Sequence, residues 1–218
     1  MTGLIDHTLL KPDATPADVL QICKEARAYQ FASVCVQPSF VSQCVQALAG
    51  TPVKVCTVIG FPHGATTTTA KAAEAREAAA SGAVELDMVL AIGRVIAGDW
   101  AYVQRDIEAV VSAAGTQALV KVILETGLLT PDQQAQAARV AKRAGAHFVK
   151  TSTGYAGQGA TVEAVRILRN SVGTEVGVKA SGGIRTRADA LAMVQAGASR
   201  IGASAGAKLL SEGAQAPF

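Results

Sequence analysis

The chain is expected to fold as one (β/α)₈ barrel, a TIM barrel, spanning residues 1–218. Three observations predict it. Short apolar, β-branched-rich runs recur along the chain with alanine-rich helical stretches between them. Several of those stretches carry helix start and stop signals, and three helix-to-strand junctions, "SGAVELD", "AGAHFVK" and "AGASRIG", repeat one pattern. Alternating strand and helix means βα units on a parallel sheet, and eight parallel strands over this length close naturally into a barrel. The rival architecture is an open doubly wound sheet. A glycine fingerprint of the GxGxxG type after the first strand would favour it, and none is present.

In order, "LIDHT" (4–8) supplies a first strand and Thr15-Pro16 an N-cap with proline in the first helical turn. Strands follow at "ASVCV" (32–36), "VKVCTVI" (53–59), "VELDMV" (84–89) and "LVKVILE" (119–125). Thr130-Pro131 opens another helix, and strands recur at "HFVK" (147–150), "VGVKA" (176–180) and "RIGA" (200–203). Gly82, Gly145, Gly173 and Gly197 stand where helices end and a left-handed residue is needed.

Half of the residues are hydrophobic and only 4% aromatic, so Ala, Val, Ile and Leu must build the core. The net charge of +3 is scattered, unlike the clustered basic face of a nucleic-acid binder, and suits an anionic small molecule. No apolar run is long enough for a membrane span, and "MTGLIDHTLLKPD" carries charge where a secretory signal would be apolar. Cys23, Cys35, Cys44 and Cys56 lack metal-site spacing, so reduced thiols in the cytoplasm are expected. His7, His63 and His147 lie far apart, and no metal or other cofactor is expected.

Alternate residues of a barrel strand face the lumen. In "VELDMV" the apolar set Val84, Leu86 and Met88 suits the helix side and turns Glu85 and Asp87 inward. The same parity turns Lys121, Lys150 and Lys179 inward, with Cys35 as a neighbour. Asp87, Lys150 and Lys179 come late in their strands, toward the rim where barrel enzymes keep their chemistry. A structural ion cluster is the alternative. Yet two ammonium groups against one sure carboxylate do not balance, and buried ion clusters add little net stability. A lysine is a nucleophile only when neutral, and a pKa near about 10.4 leaves little neutral amine at pH 7. Burial and a second ammonium both lower that pKa. One lysine is therefore expected to prime the other for Schiff-base chemistry, with Asp87 moving protons.

Glycine-rich turns follow the last two strands, "SGGIRTRADA" (181–190) and "GASAGAKLL" (202–210), each leading into a helix. Backbone N–H groups and a helix N-terminus there suit a phosphate, with Arg185 as an added cation beside Ser181, Gly182, Gly183, Gly202 and Ser204.

The motifs "IDHTLLKP", "ELDMV", "FVKTSTG" and "VKASGGIR", in this order, resemble the deoxyribose-phosphate aldolase family across essentially the whole chain. The resemblance implies a class I aldolase that cleaves 2-deoxy-D-ribose 5-phosphate to acetaldehyde and D-glyceraldehyde 3-phosphate. It implies Lys150 as the Schiff-base lysine, Lys179 as its pKa-tuning partner and proton carrier, and Asp87 as the acid/base. Asp6, Thr8, Cys35, Lys121 and Thr153 would line the substrate pocket. The sequence leaves monomer and homodimer both open. Three positions depart from the family pattern. Ala205 follows Ser204 where two hydroxyls are common, Tyr155 replaces a basic residue of some relatives, and the chain ends in "APF" where some end in tyrosine. Softer phosphate recognition and a less assisted proton step are expected. A transaldolase-like Schiff-base enzyme and a phosphosugar-binding barrel without chemistry are the alternatives.

Overall fold

The computed structural model describes residues 1–211, so the terminal "APF" lies outside the described residues. The strands are β1 (Ile5–Leu9), β2 (Ser33–Val36), β3 (Lys54–Ile59), β4 (Glu85–Val89), β5 (Leu119–Ile123), β6 (Phe148–Lys150), β7 (Gly177–Ser181) and β8 (Arg200–Ala203). All neighbours pair in parallel, and β8 pairs back to β1, so the sheet closes in chain order into a barrel. The open-sheet rival is thereby removed.

The helices form where the sequence signals place them. In α1 (Pro16–Tyr29), the Thr15 side chain accepts from Asp18 N at 3.3 Å and Asp18 accepts from Thr15 N at 2.9 Å. The same reciprocal capping box, with Gln133, opens α6 (Pro131–Arg143). Helices α2 (Val41–Ala47), α3 (Thr68–Ala80), α5 (Trp100–Ala114), α7 (Val162–Val172), α8 (Arg187–Gln195) and α9 (Gly206–Ser211) complete the outer layer, together with a short α4 (Ile92–Ile96). Gly98, at φ 74°, and the Asp99 cap separate α4 from α5.

The three repeated junctions share one hydrogen-bond pattern. Gly82, Gly145 and Gly197 take φ of 99°, 86° and 114°. The amide after each reaches back five residues, Ala83 to Ala78, Ala146 to Ala141 and Ala198 to Met193, at 2.9–3.0 Å. This is the Schellman arrangement, which needs a positive-φ residue and so specifies glycine. Gly173 also has positive φ, at 71°, but its ψ of −151° lies outside the left-handed helical region.

Strand parity divides the interior. Leu86, Met88, Val120, Val122, Val149, Val178 and Ala180 point outward into the main apolar core against the helices. Within the lumen, Cys35, Cys56 and Val58 of β2 and β3 pack with Leu10 and Phe61 as a small apolar wall. The charged residues rise from β1 and β4–β8 on the other side. Toward the N-terminal end, the Phe148 ring occupies space where a Cβ on Gly177 would stand 2.2 Å from it, so β7 must begin with glycine. None of the helices among the described residues is long and apolar enough to cross a membrane.

Candidate active site

Asp87 is the centre of the lumen. Its Oδ2 accepts from Lys150 Nζ at 2.8 Å and from Lys179 Nζ at 2.7 Å, while its Oδ1 accepts from Lys121 Nζ at 2.8 Å. Register explains the convergence: Lys150 and Lys179 are direct partners across β6 and β7, and Asp87 and Lys121 across β4 and β5. Equal parity on adjacent strands sends each pair to the same face. Cys56 adds its thiol, which donates to Asp87 Oδ1 at 3.2 Å.

Below lies a second tier. Asp6 Oδ2 meets Lys179 Nζ at 2.5 Å, and Asp6 Oδ1 accepts from Arg200 Nε at 2.8 Å and Ser33 Oγ at 2.7 Å. Glu85 takes a forked pair from Arg200 Nη2 at 2.6 and 2.7 Å and lies 2.6 Å from Lys121 Nζ. Four cations, Lys121, Lys150, Lys179 and Arg200, thus face three carboxylates, Asp6, Glu85 and Asp87. The expected excess of one positive charge, two lysines to one carboxylate, is unchanged at four basic groups to three carboxylates, because Asp6 and Glu85 join the network together with Lys121 and Arg200.

That arrangement sets the electrostatics of Lys179. Burial pulls its pKa down, but Asp6 and Asp87 outweigh burial and hold it well above the usual lysine range. Lys121 is raised in the same way, burial being overcome first by Asp87. Burial likewise pushes Asp87 up, and Lys121, Lys150 and Lys179 together hold it well below the carboxylate range. Asp6 is also depressed, since Lys179, Lys121 and Arg200 outweigh its burial. Lys179 is therefore held as a cation and Asp87 as a carboxylate. Cys35, Cys56 and Asp87 bring three donor atoms within 4.8 Å. The charged Lys121 and Lys179 already contact that carboxylate, and burial raises the Cys56 thiol well above its usual range, so the set opposes a cation.

A cavity of about 410 Å³ opens from this centre to the C-terminal rim. Lys150 forms its floor, and its walls carry Thr8, Thr153 and Tyr155, with Ser181, Gly182, Gly183, Arg185, Gly202 and Ser204 from the two glycine turns. Asp6, Cys35, Lys121, Asp87 and Lys179 are fully buried beneath it and do not line it. The structure thus brings the rim residues and Lys150 together on one cavity and places the other charged residues one layer down.

The two turns face each other, with Ser181 in register with Gly202. A Cβ on Gly202 would lie 2.3 Å from Ser181 Oγ and 3.1 Å from Lys179 Cε, so only glycine allows this approach. Gly182 and Gly183 take φ of 86° and 75°. Ser181 Oγ is buried and has no hydrogen-bond partner within the protein, leaving it free for a ligand. The N-terminus of α8 differs from expectation. Asp189 accepts from Thr186 N at 2.9 Å and Arg185 N at 3.1 Å, so the helix's own capping box occupies those donors. Arg185 is exposed at the rim.

Several residues of the site were not singled out from the sequence. Arg200 had a legible signal, since outward Ile201 and Ala203 in "RIGA" imply inward Arg200. Glu125 and the reach of Tyr155, whose hydroxyl donates to Leu10 O at 2.7 Å while its ring meets Phe61 edge-on at 5.4 Å, had none. Lys71 is a buried lysine outside this network. It is fully buried between α3 and α5, paired with Asp106 at 2.6 Å, far along the chain from every cavity-lining residue just named.

The model of the family described as "DeoC/LacD family aldolase" matches residues 1–213. Deoxyribose-phosphate aldolase 1 of Oceanobacillus iheyensis is 54% identical over 207 residues, covering 95% of this chain and 94% of that protein. Deoxyribose-phosphate aldolase of Bacillus mycoides is 55% identical over 202 residues, covering 93% and 91%. The tetrameric deoxyribose phosphate aldolase from Aeropyrum pernix superimposes with a TM-score of 0.92 at 36% identity, covering 98% of this chain and 91% of that one. Fold and sequence agree: the chain belongs to the DeoC/LacD family of aldolases.

Proposed function

We propose that the protein is a class I deoxyribose-phosphate aldolase, reversibly cleaving 2-deoxy-D-ribose 5-phosphate to acetaldehyde and D-glyceraldehyde 3-phosphate. The observation that carries this is Asp87 Oδ2 held between Lys150 and Lys179 directly beneath a cavity rimmed by two glycine turns. The relatives' printed names and the family match support the same substrate.

In this reading Lys150, the one lysine of the network at the cavity floor, attacks the sugar's C1 aldehyde. The carbinolamine loses water to give the iminium, which withdraws electrons as the C2–C3 bond breaks. The C3 hydroxyl gives up its proton and leaves as the aldehyde of glyceraldehyde 3-phosphate. The resulting enamine is protonated at C2, and water hydrolyses the iminium to release acetaldehyde and restore Lys150. Asp87, ionised and in contact with Nζ, is the base and then the acid for these transfers. Lys179 stays charged and orients Asp87. The phosphate sits against Ser181–Gly183 and Gly202–Ser204, with Ser181 Oγ as a free donor.

Incubation with 2-deoxyribose 5-phosphate in the presence of a chelator is expected to give acetaldehyde and glyceraldehyde 3-phosphate in equal amounts at an undiminished rate. Binding without products would mark a phosphosugar-binding barrel, and dihydroxyacetone transfer without acetaldehyde a transaldolase-like enzyme. The reading also includes a reducing cytoplasmic setting, supported by four buried free thiols, and a homodimer. Dimer mass is expected in sedimentation velocity, and a strictly monomeric profile contradicts it.

A further inference from the structure

Among the described residues, two that are not glycine adopt positive φ, Gln30 and Glu125. Gln30 is an exposed helix C-cap, an ordinary place for that conformation. Glu125 is different. It follows β5 at the catalytic rim with φ 54° and ψ 60°, and it is buried. A side chain in left-handed backbone with a carboxylate out of water is disfavoured on both counts and persists only where surrounding structure holds it. Its side-chain hydrogen bonds among the described residues go to one residue. Thr153 N donates to Oε1 at 3.3 Å and Oε2 at 3.2 Å, and Thr153 Oγ1 donates to Oε2.

The donor count at Thr153 then decides its role. A hydroxyl has one proton and two lone pairs. The proton is committed to Glu125, because a carboxylate can only accept. One lone pair is committed to Tyr155 N at 3.0 Å. What remains for the cavity, which Thr153 lines beside Lys150, is one acceptor site. Without Glu125 the hydroxyl would be free to turn and donate instead.

We propose that Glu125 is a positioning residue that fixes the Thr153 hydroxyl as a hydrogen-bond acceptor toward the cavity, selecting a substrate that presents a hydroxyl proton there. This role rests on the aldolase function proposed above. The matching group is a hydroxyl on the half of the sugar that leaves as glyceraldehyde 3-phosphate. Acetaldehyde, the other product, has no such group.

That difference gives the test. In Glu125→Gln the amide presents an N–H₂ donor that competes for the Thr153 lone pair or leaves its proton free. Cleavage of 2-deoxyribose 5-phosphate is expected to lose roughly tenfold in kcat/KM, the scale of one misdirected hydrogen bond. Exchange of the acetaldehyde C2 hydrogens with deuterated water, which needs only Lys150 and the acid/base, is expected to stay within about twofold of wild type, since no bond to Thr153 forms in that step. Thr153→Val is expected to lose cleavage at least as far, Thr153→Ser to keep it, and Glu125→Gln combined with Thr153→Val to be no worse than Thr153→Val alone. Equal loss of exchange and cleavage in a folded Glu125→Gln protein would overturn the role, because it would mark general disruption of the site. Additive losses in the double variant would overturn it too, since Glu125 would then act by another route. Failure of the aldolase reading itself is separately visible, as wild-type protein with no acetaldehyde exchange at all.

Discussion

Lys150→Ala is expected to lose cleavage of 2-deoxyribose 5-phosphate by roughly 10⁴-fold or more, the scale on which deleting a covalent nucleophile is felt. Neither of the other two lysines in contact with Asp87 can take its place. Lys121 and Lys179 are fully buried beneath the cavity, and each is held charged by the carboxylates around it. A charged ammonium has no lone pair with which to attack a carbonyl. The fold is expected to survive, because Asp87 keeps Lys121 and Lys179 as partners when Lys150 is gone. Thermal unfolding measured beside steady-state kinetics separates the two effects. A variant that folds and still turns over within tenfold of wild type removes Lys150 from the mechanism.

Asp87→Asn is expected to damage both activity and stability. The asparagine keeps the size but removes the carboxylate that three lysines share. Proton transfer is expected to fall about 10²–10⁴-fold, and stability at neutral pH by about 3–5 kcal/mol, the cost of leaving buried charges without their partner. The pH dependence has a definite sign. Asp87 is depressed in the folded protein, so its contribution is complete above the unfolded-state value of about 3.9 and is lost as pH falls toward the folded value. The gap between wild type and Asp87→Asn in denaturant unfolding is therefore flat above about pH 5 and narrows by roughly 1.4 kcal/mol per unit below about pH 4. Lys121 and Lys179 are raised, so their contribution is complete below about pH 10.4 and declines only at higher pH. A gap that widens on acidification contradicts this charge arrangement.

The barrel was legible because its signals are local. Glycine at each Schellman junction, a Thr-Pro pair at two helix starts and two-residue parity in each strand all act within a few residues. Parity alone was enough to turn Asp87, Lys121, Lys150 and Lys179 to one face. The balance of charge around them was not legible in the same way. Asp6 and Arg200 are separated by most of the chain, yet pair at 2.8 Å because β8 closes onto β1. That closure holds Lys179 charged, since two carboxylates outweigh burial and a like-charged neighbour. The capping of α8 by Asp189 and the left-handed turn at Glu125 had no periodic pattern to announce them. Each depends on a side chain choosing a backbone partner, and composition does not encode that choice.

The most direct measurement is borohydride reduction in the presence of acetaldehyde, followed by intact mass and peptide mapping of wild type and Lys150→Ala. An ethyl group on Lys150 in the wild type, absent from the folded variant, is the expected result. It fixes the reactive amine at the cavity floor. A wild-type protein that folds and carries no adduct on Lys150, or one that is ethylated on Lys179 instead, contradicts the assignment of the Schiff base.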